Sequence, residues 1–176
     1  QLFTNLYIPG ASAEQADWFT EVQRISASTE NSIRIQRALS TIDVRDLLAK
    51  VSVPTLVAHV RGDQVVPFAA GDHLASKIPG ATFIPLEGRN HILVESEPAW
   101  PQFTAAVRAF LAEGEGVAPA VIRSLPRDEI RTCKARDGAR LAYAASGTGF
   151  RILKAPNWMT HLEQDWTSPV YGHWYE

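Results

Sequence analysis

Apolar and polar positions along the chain fall into blocks of different period. Thr55 to Val60 is a Pro-bounded run of apolar and β-branched residues, the composition of a buried parallel strand. It breaks at Arg61-Gly62-Asp63, which predicts a turn with a carboxylate at the strand's C-terminal end. Pro67 is well placed to open a helix, which runs to about Ile78 and stops at Pro79-Gly80. Thr82 to Leu86 predicts a second short strand, followed by a loop reading Gly88-Arg89-Asn90-His91. From Pro98 to Ala112 the spacing turns helical, with Phe103, Val107, Phe110 and Leu111 on the buried side and Pro101 in the first turn, where its missing N–H costs little.

Before this block the pattern is helical. Residues 2 to 8 are apolar and end at the breaker pair Pro9-Gly10. Ser12 precedes Gln15 by three positions, a capping-box spacing, and the helix it starts places Trp18, Phe19, Val22 and Ile25 on one face. A second helix begins after Ser28-Thr29 and carries Ile33, Ala38, Leu39 and Ile42. Asp43 and Asp46 can start a third short one holding Leu47 and Leu48. Beyond the block, residues 113–128 are rich in Gly, Pro and charge and read as a linker. Ile130 to Ala135 and Arg140 to Ala145 then flank Asp137-Gly138, the signature of a hairpin. Ser146 to Gly149 turns the chain again, and Phe150 to Ala155 predicts a third strand.

Composition narrows the function classes. The chain is 45% apolar and 20% charged over 176 residues, with a net charge of −2. That is ordinary for a soluble globular protein and offers no electrostatic footprint for nucleic acid or an anionic membrane. Its one cysteine, Cys133, rules out an internal disulfide and reads as a small strand residue. No apolar run has the length of a membrane span and no signal-peptide pattern opens the chain, so a cytoplasmic setting is expected. No grouping of His, Cys, Asp or Glu has metal-ligand spacing, and no metal or cofactor is expected. His73 reads as a surface residue, and His59, inside the first strand, as a hydrogen-bonded core histidine.

The chemistry concentrates at two residues. In an open α/β sheet, ligands bind in the crevice beyond the carboxyl ends of the strands. Asp63 and His91 both fall there. A carboxylate that orients an imidazole, and an imidazole that activates a nucleophile, are two parts of a serine hydrolase.

The ordered set Val53-Pro54-Thr55-Leu56-Val57, Arg61-Gly62-Asp63, Val66-Pro67-Phe68, Ile78-Pro79-Gly80-Ala81, Leu86 to His91 and Glu97-Pro98-Ala99-Trp100 resembles the C-terminal part of an α/β-hydrolase. In particular it is similar to the hydrolase-like modules joined to bacterial cyclases or helix-turn-helix regulators. The family's acid maps onto Asp63 and its histidine onto His91. The resemblance makes residues 1–50 cap-like helices and 51–112 the C-terminal half. Residues 129–176 then resemble the family's N-terminal beginning: hairpin, third strand and oxyanion loop. Pro156-Asn157-Trp158-Met159 matches that loop, with the backbone N–H of Trp158 as oxyanion donor and Asn157 where the family commonly has Gly. His161, Glu163, Asp165 and Trp166 follow the same pattern.

The two halves therefore stand in reversed order, in a partial, rearranged α/β-hydrolase-type sheet. The Gly-x-Ser-x-Gly elbow that carries the family's nucleophile is not found. Gly10-Ala11-Ser12-Ala13-Glu14 lacks the second Gly, and Ser146 lies in a strand-to-strand turn. Unpaired sheet edges would result, so one of three outcomes is expected: direct pairing of the third strand with Thr55–Val60, strands from a complementing chain, or self-association by exchange of halves. Two functions follow. One is an esterase or related acyl hydrolase acting on a small apolar ester, with Asp63 and His91 as acid and base and a serine from elsewhere. The other is a non-catalytic binding or oligomerisation module.

Overall fold

The computed structural model describes residues 2–113, 130–145, 152–155 and 159–175. The expected linker, apart from its first residue, lies outside the described residues, as do the turn at 146–149 and residues 156–158 of the oxyanion-type loop. The fold is α/β. Its centre is a parallel pair, β1 (Leu56–Val60) and β2 (Thr82–Leu86), in register from Leu56 opposite Thr82 to Val60 opposite Leu86. Helix α4 (Phe68–Lys77) makes the crossover between them.

Side-chain alternation along a strand gives the pair two faces, and each is covered by one helix. On one face His59 and Phe83 meet Phe68 of α4. On the other, Ala58, Val60, Ile84 and Leu86 pack with Trp100 and Phe103 of α5 (Ala99–Glu113). Leu86 is 1% exposed. Covering both faces is what makes the apolar, non-alternating run of β1 stable as a strand.

The N-terminal helices are α1 (Leu2–Tyr7), α2 (Ala13–Ser26) and α3 (Thr29–Leu39). The capping box at α2 is complete: Ser12 Oγ accepts the Gln15 N–H and Gln15 Oε1 accepts the Ser12 N–H. Phe19 and Val22 of α2 are buried, with Ile8, Ile92 and Val94, in a second core that also holds Met159, Val170 and Tyr171. Ile25 is about half exposed, as are Ile33 and Leu39 of α3 and Leu47 of the 3₁₀ turn Arg45–Lys50; of the Leu47–Leu48 pair, only Leu48 is buried. Leu111, expected on the buried side of α5, is likewise exposed. Period alone marks a face as apolar without supplying the neighbour that covers it.

The hairpin forms as expected, with β3 (Arg131–Lys134) antiparallel to β4 (Arg140–Tyr143) around Gly138 at φ 86°. Only glycine adopts that angle freely, and the Asp137 carboxylate accepts the Ala139 N–H to close the turn. All eight strand residues are exposed, Cys133 among them.

The expected third strand is absent from its described part. Residues 152–155 have no strand structure, and Ile152 and Leu153 are 82% and 93% exposed. Nor does this segment pair with β1, whose one strand partner among the described residues is β2. An apolar run tolerates extended backbone, yet a strand needs a ladder to satisfy its N–H and C=O groups. Among the described residues that follow, 159–175 rejoin the core through the 3₁₀ turns Asp165–Thr167 and Gly172–Trp174. There Trp174 donates its indole N–H to the Leu93 carbonyl, and Pro169 O accepts from Gln15 Nε2. None of the described helices is long and apolar enough to cross a membrane.

Candidate active site

Asp63 owes its position to a turn in which backbone approaches backbone. Arg61 N–H donates to the Leu86 carbonyl and Gly62 N–H to that of Gly88, carrying the β1–β2 ladder past the strand ends. A Cβ on Gly62 would lie 2.6 Å from Gly88 O, so the approach requires glycine. The Asp63 side chain, 4% exposed, then divides its two oxygens. Oδ1 accepts the N–H groups of Val65 and Val66 at 2.7 and 3.0 Å, just ahead of α4. Oδ2 lies 2.8 Å from Nδ1 of His91. One carboxylate thus closes the turn into the next helix and binds the histidine.

A second imidazole flanks the same carboxylate. His59 Nε2 lies 3.0 Å from the Val66 carbonyl and 3.4 Å from Asp63 Oδ2. A carbonyl can only accept, so this nitrogen carries the proton and points it toward both oxygens. The opposite edge of the ring rests on α4, where a Cβ at Gly71 would come 2.4 Å from His59 Nδ1. His59 is the hydrogen-bonded core histidine that its place in β1 suggests, and His73 is exposed.

His91 sits on the loop after β2 with its side chain 30% exposed. Its ring stacks edge-on against Tyr7 of α1 at 5.1 Å between centroids. Because an ionised Asp63 can only accept, Nδ1 of a neutral His91 carries the proton and Nε2 keeps a lone pair. That is the tautomer a general base needs. Beside the pair lies a cavity of about 330 Å³, walled by Val60, Leu86, Leu93, Phe103 and Trp174, with Lys154 at its edge. Mostly apolar walls with a few polar groups suit a small, largely apolar ligand.

The residues of the C-terminal pattern do different work. Asp165, 2% exposed, accepts the His161 N–H through Oδ1 and lies 3.6 Å from Lys154 Nζ, which donates to Tyr175 OH. Burial raises the Asp165 carboxyl above the usual carboxylate range, against the opposing pull of the His161 N–H and the Lys154 ammonium. These contacts build the turn that docks Val170, Tyr171 and Trp174. Trp158 lies outside the described residues.

Periodicity gave no role to Asn90 in the His91 loop or to Glu97 beside it, both of which are buried. Two polar residues flanking a histidine loop, one ahead of a helix-opening Pro-Ala pair, are the signal the sequence offers for them. Among the described residues no group of three or more His, Cys, Asp or Glu side chains is gathered to hold a metal ion.

Curated proteins similar to this chain are hydrolases by name. A protein named carbamate hydrolase RutD from Pseudomonas syringae pv. syringae is 38% identical over 84 residues, 48% of this chain and 32% of its own length. One of the same name from Pseudomonas savastanoi pv. phaseolicola is 37% identical over 70 residues, 40% of this chain and 27% of its own length. An AB hydrolase superfamily protein, YisY, from Bacillus subtilis is 32% identical over 80 residues, 46% of this chain and 30% of its own length. Over these stretches the chain is similar to proteins named as hydrolases, one of them of the AB hydrolase superfamily. Each match spans about a third or less of the relative. No family model matches the chain, and no solved structure matches it significantly.

Proposed function

We propose that this chain carries the acid–histidine half of a serine-hydrolase-type acyl-transfer site. The observation that supports it most is the buried Asp63 carboxylate 2.8 Å from His91 Nδ1, at the carboxyl ends of two parallel strands. In this reading Asp63 orients the imidazole and stabilises the imidazolium. His91 Nε2 removes the proton from a serine hydroxyl as it attacks the acyl carbon, then delivers that proton to the leaving group. The Trp158 N–H is the oxyanion donor. The serine comes from a complementing chain or from sequence outside this stretch, because no Gly-x-Ser-x-Gly occurs here. Small, largely apolar esters fit the cavity, and the name of two relatives adds carbamates to the candidates. No cofactor enters the scheme.

The absent elbow also favours a second reading, in which the chain is a non-catalytic module whose strand edges, unpaired among the described residues, serve self-association or a partner chain. Labelling with a fluorophosphonate probe separates the two. The acyl-transfer reading expects labelling of the assembly formed with a complementing chain, and its loss in His91→Ala. No labelling in any assembly, or labelling unchanged by His91→Ala, overturns it.

A further inference from the structure

Four consecutive backbone N–H groups run through the loop that presents His91, and all four are held by two acceptors. Glu97 Oε1 accepts those of Arg89 and Asn90, at 2.8 and 3.1 Å. The Tyr7 carbonyl accepts those of His91 and Ile92, at 2.8 and 3.2 Å. The loop is also pinned through a side chain, since Asn90 Oδ1 accepts the Gly10 N–H at 2.7 Å. Of these fixings, Glu97 is the one made by an ionisable side chain, and it makes it at a disadvantage. The residue is 8% exposed, and its second oxygen, Oε2, is buried without a hydrogen-bond partner among the described residues.

A buried carboxylate with one oxygen doubly bonded and the other orphaned is a poor stabiliser, because desolvating the orphan offsets much of what the bonds contribute. A well-packed apolar residue would serve stability as well. What an apolar residue could not do is fix the backbone immediately before the imidazole. The loop is shaped for this contact: a Cβ on Gly88 would lie 2.4 Å from Glu97 Oε1 and 2.9 Å from its Cδ. The glycine therefore lets the carboxylate come up against the chain.

We propose that Glu97 is the positioning residue of His91, a carboxylate clamp that sets the loop so that Nδ1 stays in register with Asp63. The role rests on the reading of Asp63 and His91 as the acid–base pair. Glu97 touches no reacting atom; it acts through the Arg89–Asn90 backbone.

The test reads the imidazole of the isotope-labelled chain by NMR, with His91→Gln assigning its Nδ1–H signal. Glu97→Ala is expected to lose that exchange-protected signal. It also speeds amide exchange at Arg89 and Asn90 by roughly ten- to a hundredfold, while β1 and β2 amides keep their rates. Glu97→Gln, which retains an acceptor at Oε1, is expected to keep the signal. Gly88→Ala pushes the carboxylate off the loop and is expected to reproduce the Glu97→Ala result, adding little when the two are combined. It carries the test if Glu97→Ala does not fold. An unchanged Nδ1–H signal in both variants overturns the clamp, and so does acceleration spread equally over β1 and β2. No nucleophile or turnover is needed for these readouts. An intact clamp with no fluorophosphonate labelling in any assembly would defeat the hydrolase reading alone.

Discussion

The described residues contain two pairs of strands that could hardly differ more in circumstance. The parallel pair β1–β2 is covered by α4 on one face and α5 on the other, and it buries Val57, Val60 and Leu86. The antiparallel pair β3–β4 has every strand residue exposed, and no other described element packs against it. Both were equally legible as strands. The candidate site grew only on the first, because a carboxylate and an imidazole can be held to a few tenths of an ångström only where packing fixes the backbone that carries them. A lone hairpin of four-residue strands has no such support.

The sharpest way to break this comparison is to cut the covered pair. Leu86→Ala removes a side chain that is 1% exposed and should destabilise by about 2–5 kcal/mol in urea unfolding. A loss no larger than the hairpin's would mean that β1–β2 is not the centre of the core. Next comes Asp63→Ala, which leaves the Val65 and Val66 N–H groups and His91 Nδ1 without their acceptor. It should lower stability by about 2–3 kcal/mol and abolish any His91-dependent labelling. A variant that keeps full stability would show that the turn into α4 closes without the carboxylate.

Gly71→Ala is a finer probe of how tightly α4 sits. The new Cβ would strike the His59 ring, with overpacking of about 1–3 kcal/mol against a helix-propensity gain of about 1 kcal/mol. A net loss of about 1 kcal/mol, measured by thermal unfolding, is expected, and a stabilised variant would mean that the ring has room to move. At the small end, Leu141→Ala in the exposed hairpin should change stability by no more than about 0.5 kcal/mol. A large loss there would reveal a packing partner for β3–β4.

Asp165 adds a pH arm. Its carboxyl is raised in the folded chain by burial, so the native state holds that proton more tightly than the unfolded one. The group therefore favours folding in acid and loses that contribution as pH rises through its folded value. Asp165→Asn should flatten this part of the stability–pH curve, and an unaltered slope would remove Asp165 as its source.

Much of this was readable residue by residue. Ser12 and Gln15 announced the α2 cap, Pro67 the start of α4, and Asp137-Gly138 the hairpin turn. Asp63 and His91 were legible as neighbours because each lies in the turn or loop that follows a strand-like run. The misreadings share a cause. Phe150–Ala155 has strand composition but its described part has no ladder, and Ile25, Leu39 and Leu111 fall on apolar faces that the described residues leave about half exposed. Conversely, Met159, Val170, Tyr171 and Trp174 follow no period, yet they close the core around α2 and the His91 loop.

What the sequence settled by itself was local: caps, turns, the βαβ order, and the delivery of an acid and a histidine to the same ends of two strands. These depend on hydrogen bonds and steric preferences within a few residues. What only the tertiary structure decided was which faces are covered, that His59 shares the Asp63 carboxylate, and that Glu97 and Tyr7 hold the His91 loop between them. Burial and long-range hydrogen bonds depend on what the rest of the chain brings alongside, and no window of neighbouring residues contains that information.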